Sequence, residues 1–187
     1  AALVANSTCA APLVSFPSVN FLVTGGAGFI GSHVCEHLLG AGHAVWAFDD
    51  LNSFYDPLIK RGNLRDIQSL AKPFEFVQGD LVDRAALDEL FGSVKFDQVI
   101  HLAARAGVRP SLAEPALYQR VNVEGTVNVL EAVRLNGVKK ITIASSSSVY
   151  GVNAKVPFSE SDPIFSAISP YAASKLASEH LSYAHYR

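Results

Sequence analysis

Short apolar runs alternate along the chain with longer stretches in which apolar positions recur at helical spacing. Short continuous apolar runs are typical of strands buried on both faces, and a recurrence every three or four residues is typical of amphipathic helices. The pattern predicts strands over 20–24, 43–48, 73–78, 98–103 and 140–144. It predicts helices over 31–39, the later part of 50–70, 84–91, from Pro115 to about Leu135, and from about Pro170 onward.

Strands that alternate with helices in this way form parallel sheets, because each return to the same sheet edge needs a helical crossover. The predicted fold class is therefore α/β, a doubly wound parallel sheet covered by helices on both faces. We expect one domain over residues 19–187. Residues 1–18 are expected to be a weakly ordered extension, because they lack the basic start and the long apolar run of a signal peptide or membrane span.

Composition narrows the functional classes. The 187 residues are 49% hydrophobic and 17% charged, which fits one well-packed domain. The net charge of -2, without a basic block, argues against nucleic acid or an anionic membrane as a partner. Cys9 and Cys35 are the only cysteines and lack metal-ligand spacing, so we expect no disulfide framework, no metal and a reducing, cytoplasmic setting.

A glycine-rich segment, TGGAGFIGSH at 24–33, follows the first predicted strand and opens the first predicted helix. Such a turn lets the backbone approach a pyrophosphate, which the N–H groups at the helix start can bind. Asp49 ends the second predicted strand 18 residues after Gly31 (49 − 31), where a carboxylate binds ribose hydroxyls and repels a 2′-phosphate. The segment predicts a dinucleotide site that prefers NAD to NADP. Asp50 competes with Asp49 for this role, and glycines also serve turns alone.

Five segments together resemble the extended short-chain dehydrogenase/reductases, specifically the NAD-dependent epimerase/dehydratase family. They are TGGAGFIGSH at 24–33, QGDLVD at 78–83, HLAAR at 101–105, SSSSVYG at 145–151 and SPYAASK at 169–175. The resemblance covers residues 19–187 and implies a Rossmann-like, NAD-binding domain. YDPLIKR at 55–61, AGVRPS at 106–111 and SSSSVYG resemble the UDP-glucuronate 4-epimerases most.

Tyr171 and Lys175 lie four residues apart, so they share one face of the last predicted helix. An ammonium group stabilises a nearby phenolate, which lets such a pair act as one catalytic base. The serine run follows the fifth predicted strand, at the sheet edge where ligands bind. The resemblance implies that the Ser146 hydroxyl binds the substrate oxygen, with Ser145 and Ser147 as alternatives. An exposed helix pair and a polar turn would explain the same residues without catalysis.

The resemblance also implies a set of cofactor residues, with Asp80 and Leu81 at the adenine and Asn122 orienting the site. The set is Gly25, Gly28, Phe29, Ile30, Gly31, Asp49, Asp50, Asp80, Leu81, Leu102, Ala103, Ala104, Arg105, Asn122, Tyr171 and Lys175. The expected substrate residues are Arg109, Ser146 and Ser147. Each has a structural alternative: Asp80 could cap a turn, Asn122 could bond to nearby backbone, and Arg109 could be a solvated loop residue.

The implied reaction is 4-epimerisation of a UDP-sugar such as UDP-glucuronate, or UDP-glucose and UDP-galactose. Deprotonated Tyr171 takes the C4 hydroxyl proton while NAD accepts the C4 hydride, and hydride returns to the opposite face of the 4-keto sugar. Family dehydratases carry an Asp-Glu pair after the catalytic hydroxyl. Ser147 and Ser148 stand there in this chain, which favours the epimerase over the dehydratase alternative.

Family members continue past the Tyr-Lys helix into a sixth strand and a C-terminal region that binds the nucleotide of the sugar. This sequence ends at Arg187, so we expect that substrate region to be absent, in a fragment or in a natural minimal form. The alternative function is an NAD-binding module without turnover. The fifth strand would then be an exposed sheet edge, which predicts self-association as a homodimer.

Overall fold

The computed structural model describes residues 18–152, 155–164 and 166–186. Its strands are β1 (Asn20–Thr24), β2 (Ala44–Asp49), β3 (Phe74–Gln78), β4 (Gln98–His101) and β5 (Lys140–Ile143). Its α-helices are α1 (Phe29–Gly40), α2 (Pro57–Ser69), α3 (Arg84–Ser93), α4 (Val108–Ala113), α5 (Pro115–Tyr118), α6 (Gly125–Leu135) and α7 (Pro170–Tyr186). Cys9 and the predicted extension, except Ser18, lie outside the described residues.

The strands form one parallel sheet in the order β3-β2-β1-β4-β5. From β1 the chain runs outward through β2 to β3, then crosses back to place β4 on the other side of β1. The connections after β1 and β4 therefore diverge, which leaves a crevice at the carboxyl edge of the sheet where such folds bind ligands. The predicted α/β fold class is confirmed.

Helices cover both faces of the sheet, because successive side chains of a buried strand point to opposite sides. On one face, α1 and α2 pack on β1 and β2 through a cluster comprising Phe21, Val23, Cys35, Leu39, Val45, Ala47 and Ile67. On the other, α3 and α6 pack through Leu22, Phe48, Leu87, Leu90, Phe91, Val99, Val129, Ala132 and Val133. Burial raises the pKa of the Cys35 thiol to about 12.

Trp46 of β2 lies at the margin of the core and not within it. The side chain is only partly buried and packs against the margin of the α3 and α6 cluster, edge-on to Phe96 with the ring centroids 5.6 Å apart. Its indole Nε1 donates a hydrogen bond of 2.9 Å to Glu75 Oε2 on β3. A tryptophan keeps a polar N–H that needs a partner, which explains why it lies at the edge of the apolar cluster.

The region 108–135 is less regular than the sequence pattern predicts. Helix α4 was not predicted, and it is a short helix that carries Pro110 in its first turn, where proline is tolerated. The single helix predicted from Pro115 to Leu135 contains a π-helical segment, Gln119–Glu124, between α5 and α6. Such segments are frequent at functional sites. Here the Asn122 carbonyl accepts hydrogen bonds from the Thr126 and Ser178 hydroxyls.

Helix α7 packs on the π-helical segment and on α6 through small buried residues, Ala172, Ser174 and Ser178. Near its end, His185 Nε2 lies 3.0 Å from Glu131 Oε1 of α6. Across the described ranges, every helix is too short or too polar to cross a membrane.

Candidate active site

A cleft of about 280 Å³ opens at the carboxyl edge of the sheet. The predicted cofactor residues that line it are Gly25, Gly28, Phe29, Ile30, Gly31, Asp49, Asp50, Asp80, Leu81, Leu102, Ala103, Ala104 and Arg105. The lining residues that were not predicted are Phe48, Asn52, Phe54, Tyr55, Lys60, Gly79, Ala106, Val121 and Ala144. The ends of β1 to β4 thus contribute to one cleft, as expected for parallel strands.

The glycine turn between β1 and α1 is too tight for side chains. Gly25 has φ +72°, and a Cβ there would lie 2.8 Å from the backbone nitrogen of Ala103. A Cβ on Gly31 would lie 2.0 Å from the carbonyl oxygen of Gly25. The start of α1 therefore packs directly on the glycine turn, and the turn packs directly on the segment that follows β4.

The start of α1 is arranged for an anion. Its N-cap is Gly28, which offers no side-chain hydrogen bond, and the first turn holds no acidic residue. The N–H groups of a helix start that lack a cap bind phosphate or carboxylate oxygens well, with the helix dipole in support. Asn63 of α2 steadies the turn by donating 2.9 Å to the Ala27 carbonyl. The turn and helix start fit a dinucleotide diphosphate.

Asp49 lies in the cleft wall but is already paired. Its Oδ1 accepts hydrogen bonds from the Leu51 backbone N at 2.9 Å and from Lys60 Nζ at 3.0 Å, and both side chains are buried. The Lys60 ammonium offsets the negative charge of Asp49. That negative charge is the basis for the predicted preference for NAD over NADP. Electrostatic repulsion of a 2′-phosphate is therefore weaker than the sequence suggests.

Lys60 was not predicted as a site residue, although the sequence contains a signal for it. Residues 60, 64 and 67 lie at helical spacing, and Leu64 and Ile67 are the other buried residues of α2. A lysine on the apolar face of a helix requires a buried partner, since an unpaired ammonium is costly to desolvate. The carboxylate at the end of β2 is that partner.

Asp50 and Asp80 both form local turns. Asp50 Oδ1 accepts from the backbone N of Asn52 at 3.0 Å and also lies 3.7 Å from Lys60 Nζ. Asp80 Oδ1 accepts from the backbone N of Val82 at 3.1 Å. Both residues nevertheless line the cleft, so turn formation and contact with a cofactor are compatible for each.

Asn122 does not line the cleft but holds a residue that does. Its Oδ1 accepts from the Arg105 backbone N at 2.7 Å, and its Nδ2 donates to the Arg105 carbonyl at 3.0 Å and to Ser174 Oγ at 2.9 Å. The buried amide therefore links the segment after β4 to α7. The prediction that it orients the site agrees with this position, whereas direct contact with a cofactor stays a prediction.

Helix α7 carries Tyr171 and Lys175, and it brings Lys175 into contact with a residue at the β5 end of the cleft. Ser169 Oγ caps the helix by accepting from the Ala172 N at 3.0 Å, which places Tyr171 in the first turn. Lys175 is 7% exposed and its Nζ donates 3.0 Å to the carbonyl of Ala144, a lining residue. Burial lowers the pKa of Lys175 to about 8. Neither Tyr171 nor Lys175 is itself among the lining residues.

Tyr118 was not predicted as a site residue. It is fully buried, its hydroxyl donates 2.5 Å to the Ala106 carbonyl, and its ring packs edge-on to Tyr171 with centroids 6.2 Å apart. Burial is the main cause that raises the pKa of Tyr118. No sequence pattern points to Tyr118, because its contact with Tyr171 joins α5 to α7.

The serine run separates into residues with different surroundings. Ser146 Oγ caps a 3₁₀ turn, Ser147–Tyr150, by accepting from the Ser148 N at 3.2 Å. Ser145 Oγ donates to Glu179 of α7, which leaves it less free than Ser146 to bind a substrate. Ser147 is exposed. Lys175 and Glu179, one helical turn apart, thus both connect α7 to the segment after β5.

Arg109 follows the lining residue Ala106 by three positions but does not line the cleft itself. It is exposed on α4 and is not among the lining residues. The structure therefore brings the predicted cofactor residues of β1 to β4 together but does not bring Arg109 to them. Its contact with an anionic substrate group stays a prediction.

A buried hydrogen-bond chain connects the glycine turn to the helices behind the cleft. His101 Nδ1 lies 2.7 Å from Thr24 Oγ1, and its Nε2 lies 3.1 Å from Thr126 Oγ1. Burial, with a smaller contribution from Lys175, lowers the pKa of His101 to about 3. The imidazole is therefore neutral in the folded protein at any pH near neutrality.

We expect His101 to make the protein acid-sensitive. Its pKa of about 3 lies below the value near 6.5 of the unfolded chain, so the unfolded state binds the proton first as the pH falls. The free energy of unfolding should lose about 2 kcal/mol from this group between pH 6.5 and 5, at roughly 1.4 kcal/mol per pH unit. Urea unfolding at several pH values measures this. In His101→Gln, the unfolding free energy should change less steeply with pH, by the contribution of one proton. Equal slopes in the two proteins would contradict the prediction.

A profile of the GDP-mannose 4,6 dehydratase family matches residues 22–187. The chain is 46% identical over 166 residues to UDP-glucuronate 4-epimerase 1 of Arabidopsis thaliana, covering 88% of this chain and 38% of that protein. It is 44% identical over 166 residues to UDP-glucuronate 4-epimerase of Thermodesulfobacterium geofontis, covering 89% of this chain and 51% of that protein.

The fold also matches a solved structure that contains a dinucleotide. The crystal structure of UDP-glucose 4-epimerase from Bifidobacterium longum, in complex with NAD+ and UDP, aligns with a TM-score of 0.81 at 32% identity. The alignment covers 88% of this chain and 48% of that chain. This chain therefore spans about half the length, or less, of the curated relatives it matches.

Proposed function

The chain belongs to the GDP-mannose 4,6 dehydratase family, and from that premise we propose that it binds NAD and carries the catalytic residues of a UDP-sugar 4-epimerase. The observation that carries the proposal is the cleft itself. The cleft has the glycine-rich turn and an uncapped helix start at one end, and the Lys175 contact with Ala144 at the other.

The residues present fit NAD. Gly25 and Gly31 let the turn pack tightly between α1 and the segment after β4, because a Cβ at either position would collide with backbone atoms. Arg105 Nε is a buried donor without a protein acceptor in the described part of the chain. When bound, NAD supplies reversible acceptance of a hydride. Gly28 and the first N–H groups of α1 would hold the diphosphate, and Asp49 with Lys60 would lie at the adenosine ribose.

Tyr171 is the proposed base that takes the proton of the sugar C4 hydroxyl. Lys175 lies one helical turn further along α7. Burial lowers its pKa to about 8, but the side chain is still mostly an ammonium at neutral pH, and its positive charge would stabilise a phenolate on Tyr171. Ser146, whose Oγ accepts only from the Ser148 N among the described hydrogen bonds, would donate its proton to the same sugar oxygen. The Tyr171–Lys175 pair and Ser146 would thus stabilise the sugar C4 oxygen both with and without its proton.

Epimerisation is favoured over dehydration by the segment after Ser146. Elimination of water needs an acid and a base beside the sugar, and Ser147 and Ser148 supply neither. Glu179 reaches this segment, but its carboxylate accepts from Ser145. Relatives named UDP-glucuronate 4-epimerase support UDP-glucuronate as the substrate. Arg109 would then bind the sugar carboxylate. UDP-glucose and UDP-galactose are the alternative pair.

We further propose a homodimer in a reducing, cytoplasmic compartment, with residues 19–187 as one NAD-binding domain. Among the described strands β5 lies at one edge of the sheet, where its backbone groups can pair with another chain. Light scattering at low micromolar concentration tests the dimer, and a monomeric mass would contradict it.

Titration calorimetry with NAD, followed in the same cell by UDP-glucuronate and then UDP-galactose, tests the function. We expect NAD binding, a response to one sugar nucleotide, and formation of its 4-epimer over time. NAD binding without any epimer would favour the second candidate, a dinucleotide-binding module without turnover. Absence of NAD binding would overturn both.

A further inference from the structure

Arg105 reaches across the cleft. It follows β4, whereas Asn52 follows β2, and β1 lies between those two strands. Arg105 Nη1 donates 3.0 Å to Asn52 Oδ1. Two strand spacings are about 10 Å, so the arginine side chain extends past the end of β1, where the glycine turn starts.

The Arg105 guanidinium has an N–H donor without an acceptor and a positive charge without an ion-pair partner among the described residues. Its Nε is buried and has no acceptor in the described part of the chain. No described carboxylate oxygen lies within 4.0 Å of the Arg105 guanidinium, which is the limit for an ion pair. The two acids at the β2 end, Asp49 and Asp50, lie against Lys60 instead. A cation that is shielded from water and has N–H groups without acceptors costs free energy unless an anion binds to it.

The backbone beneath the guanidinium is fixed. Asn122 binds both the N and the O of Arg105, at 2.7 and 3.0 Å, and is itself held by Ser174. Asn52 holds the far end of the side chain. An arginine anchored at both ends loses little freedom when a ligand arrives, which favours binding.

We propose that Arg105 is a ligand of the dinucleotide diphosphate, kept in position by Asn52. This inference rests on the proposed NAD site. The planar fork of a guanidinium matches two phosphate oxygens, and the N–H groups of the glycine turn and α1 would bind the same diphosphate from the sheet side. A UDP-sugar also carries a diphosphate, but the lining of this cleft by Gly25, Gly28 and Gly31 assigns Arg105 to the dinucleotide.

Calorimetric titration of the full chain with NAD, ADP, UDP and adenosine tests the assignment. In Arg105→Gln we expect NAD and ADP to bind about ten- to a hundredfold more weakly, the loss of a charge-assisted hydrogen bond. Adenosine and UDP should bind as they do to the unchanged chain. Arg105→Lys should fall between, because it keeps the charge without the fork. Thermal unfolding of each variant shows whether it is folded.

Arg65→Gln is the matched control, because Arg65 is exposed on α2 and does not line the cleft. It should leave all four affinities unchanged. Equal weakening of adenosine and ADP in Arg105→Gln would mean that the bridge to Asn52 merely closes the cleft, and this would overturn the proposal. Weakening of UDP alone, or unchanged NAD affinity in both variants, would also overturn it. An unchanged chain that binds neither NAD nor ADP would overturn the NAD site as well.

Discussion

Gly31→Ala should lower the free energy of unfolding by about 3 kcal/mol and weaken NAD binding at least about a hundredfold. The new Cβ would lie 2.0 Å from the Gly25 carbonyl oxygen and 2.8 Å from the Gly26 Cα. Both obstacles are backbone atoms, so no side chain can rotate away. Either α1 or the turn has to move.

Neither movement preserves the site. Gly25 is fixed by its hydrogen bond to the Phe48 carbonyl at 2.7 Å and by close contact with Ala103. The start of α1 must therefore withdraw from the turn, which separates its N–H groups from the position of the diphosphate. Affinity for NAD should fall at least about a hundredfold, because several charge-assisted hydrogen bonds depend on that geometry.

Gly40→Ala is the matched control, since Gly40 ends the same helix and a Cβ there meets nothing within 4 Å. Stability should stay the same or rise by up to about 1 kcal/mol, because alanine is the better helix former. Urea unfolding and NAD calorimetry on the two variants measure both effects. A Gly31→Ala protein that binds NAD normally would contradict the role given to the turn.

Local pattern predicted the fold well because the sheet consists of parallel βαβ units. Each apolar run is a strand, each helical stretch crosses back, and the glycine segment lies at the first crossover. The family resemblance is confirmed, since the family profile covers residues 22–187. The predicted residues at the ends of β1 to β4 line one cleft because parallel strands end at a common edge.

Contacts between distant elements could not be predicted in the same way. Tyr118 meets Tyr171 only because α5 packs on α7, and Asn122 holds Arg105 only because a π-helical segment turns its amide toward β4. The pairing of Lys60 with Asp49 joins α2 to β2. In each case the partner is decided by helix packing, which a pattern read along one chain does not contain.

Tyr171→Phe should reduce turnover of the UDP-sugar about a thousandfold while NAD affinity changes less than about twofold. The substitution removes the hydroxyl that we propose exchanges the C4 proton. It keeps the ring that packs against Tyr118, and it leaves the Lys175 bond to Ala144 in place. Turnover at saturating NAD and calorimetry with NAD measure the two quantities separately.

Tyr186→Phe is the matched control on the same helix, because Tyr186 is 87% exposed. It should alter neither quantity. If Tyr171→Phe weakened NAD binding as much as turnover, the tyrosine would be a structural part of the cleft. If the variant kept more than about a tenth of the turnover, another group would have to take the proton. A selective loss of turnover would assign proton transfer to Tyr171, because only the hydroxyl distinguishes the two proteins.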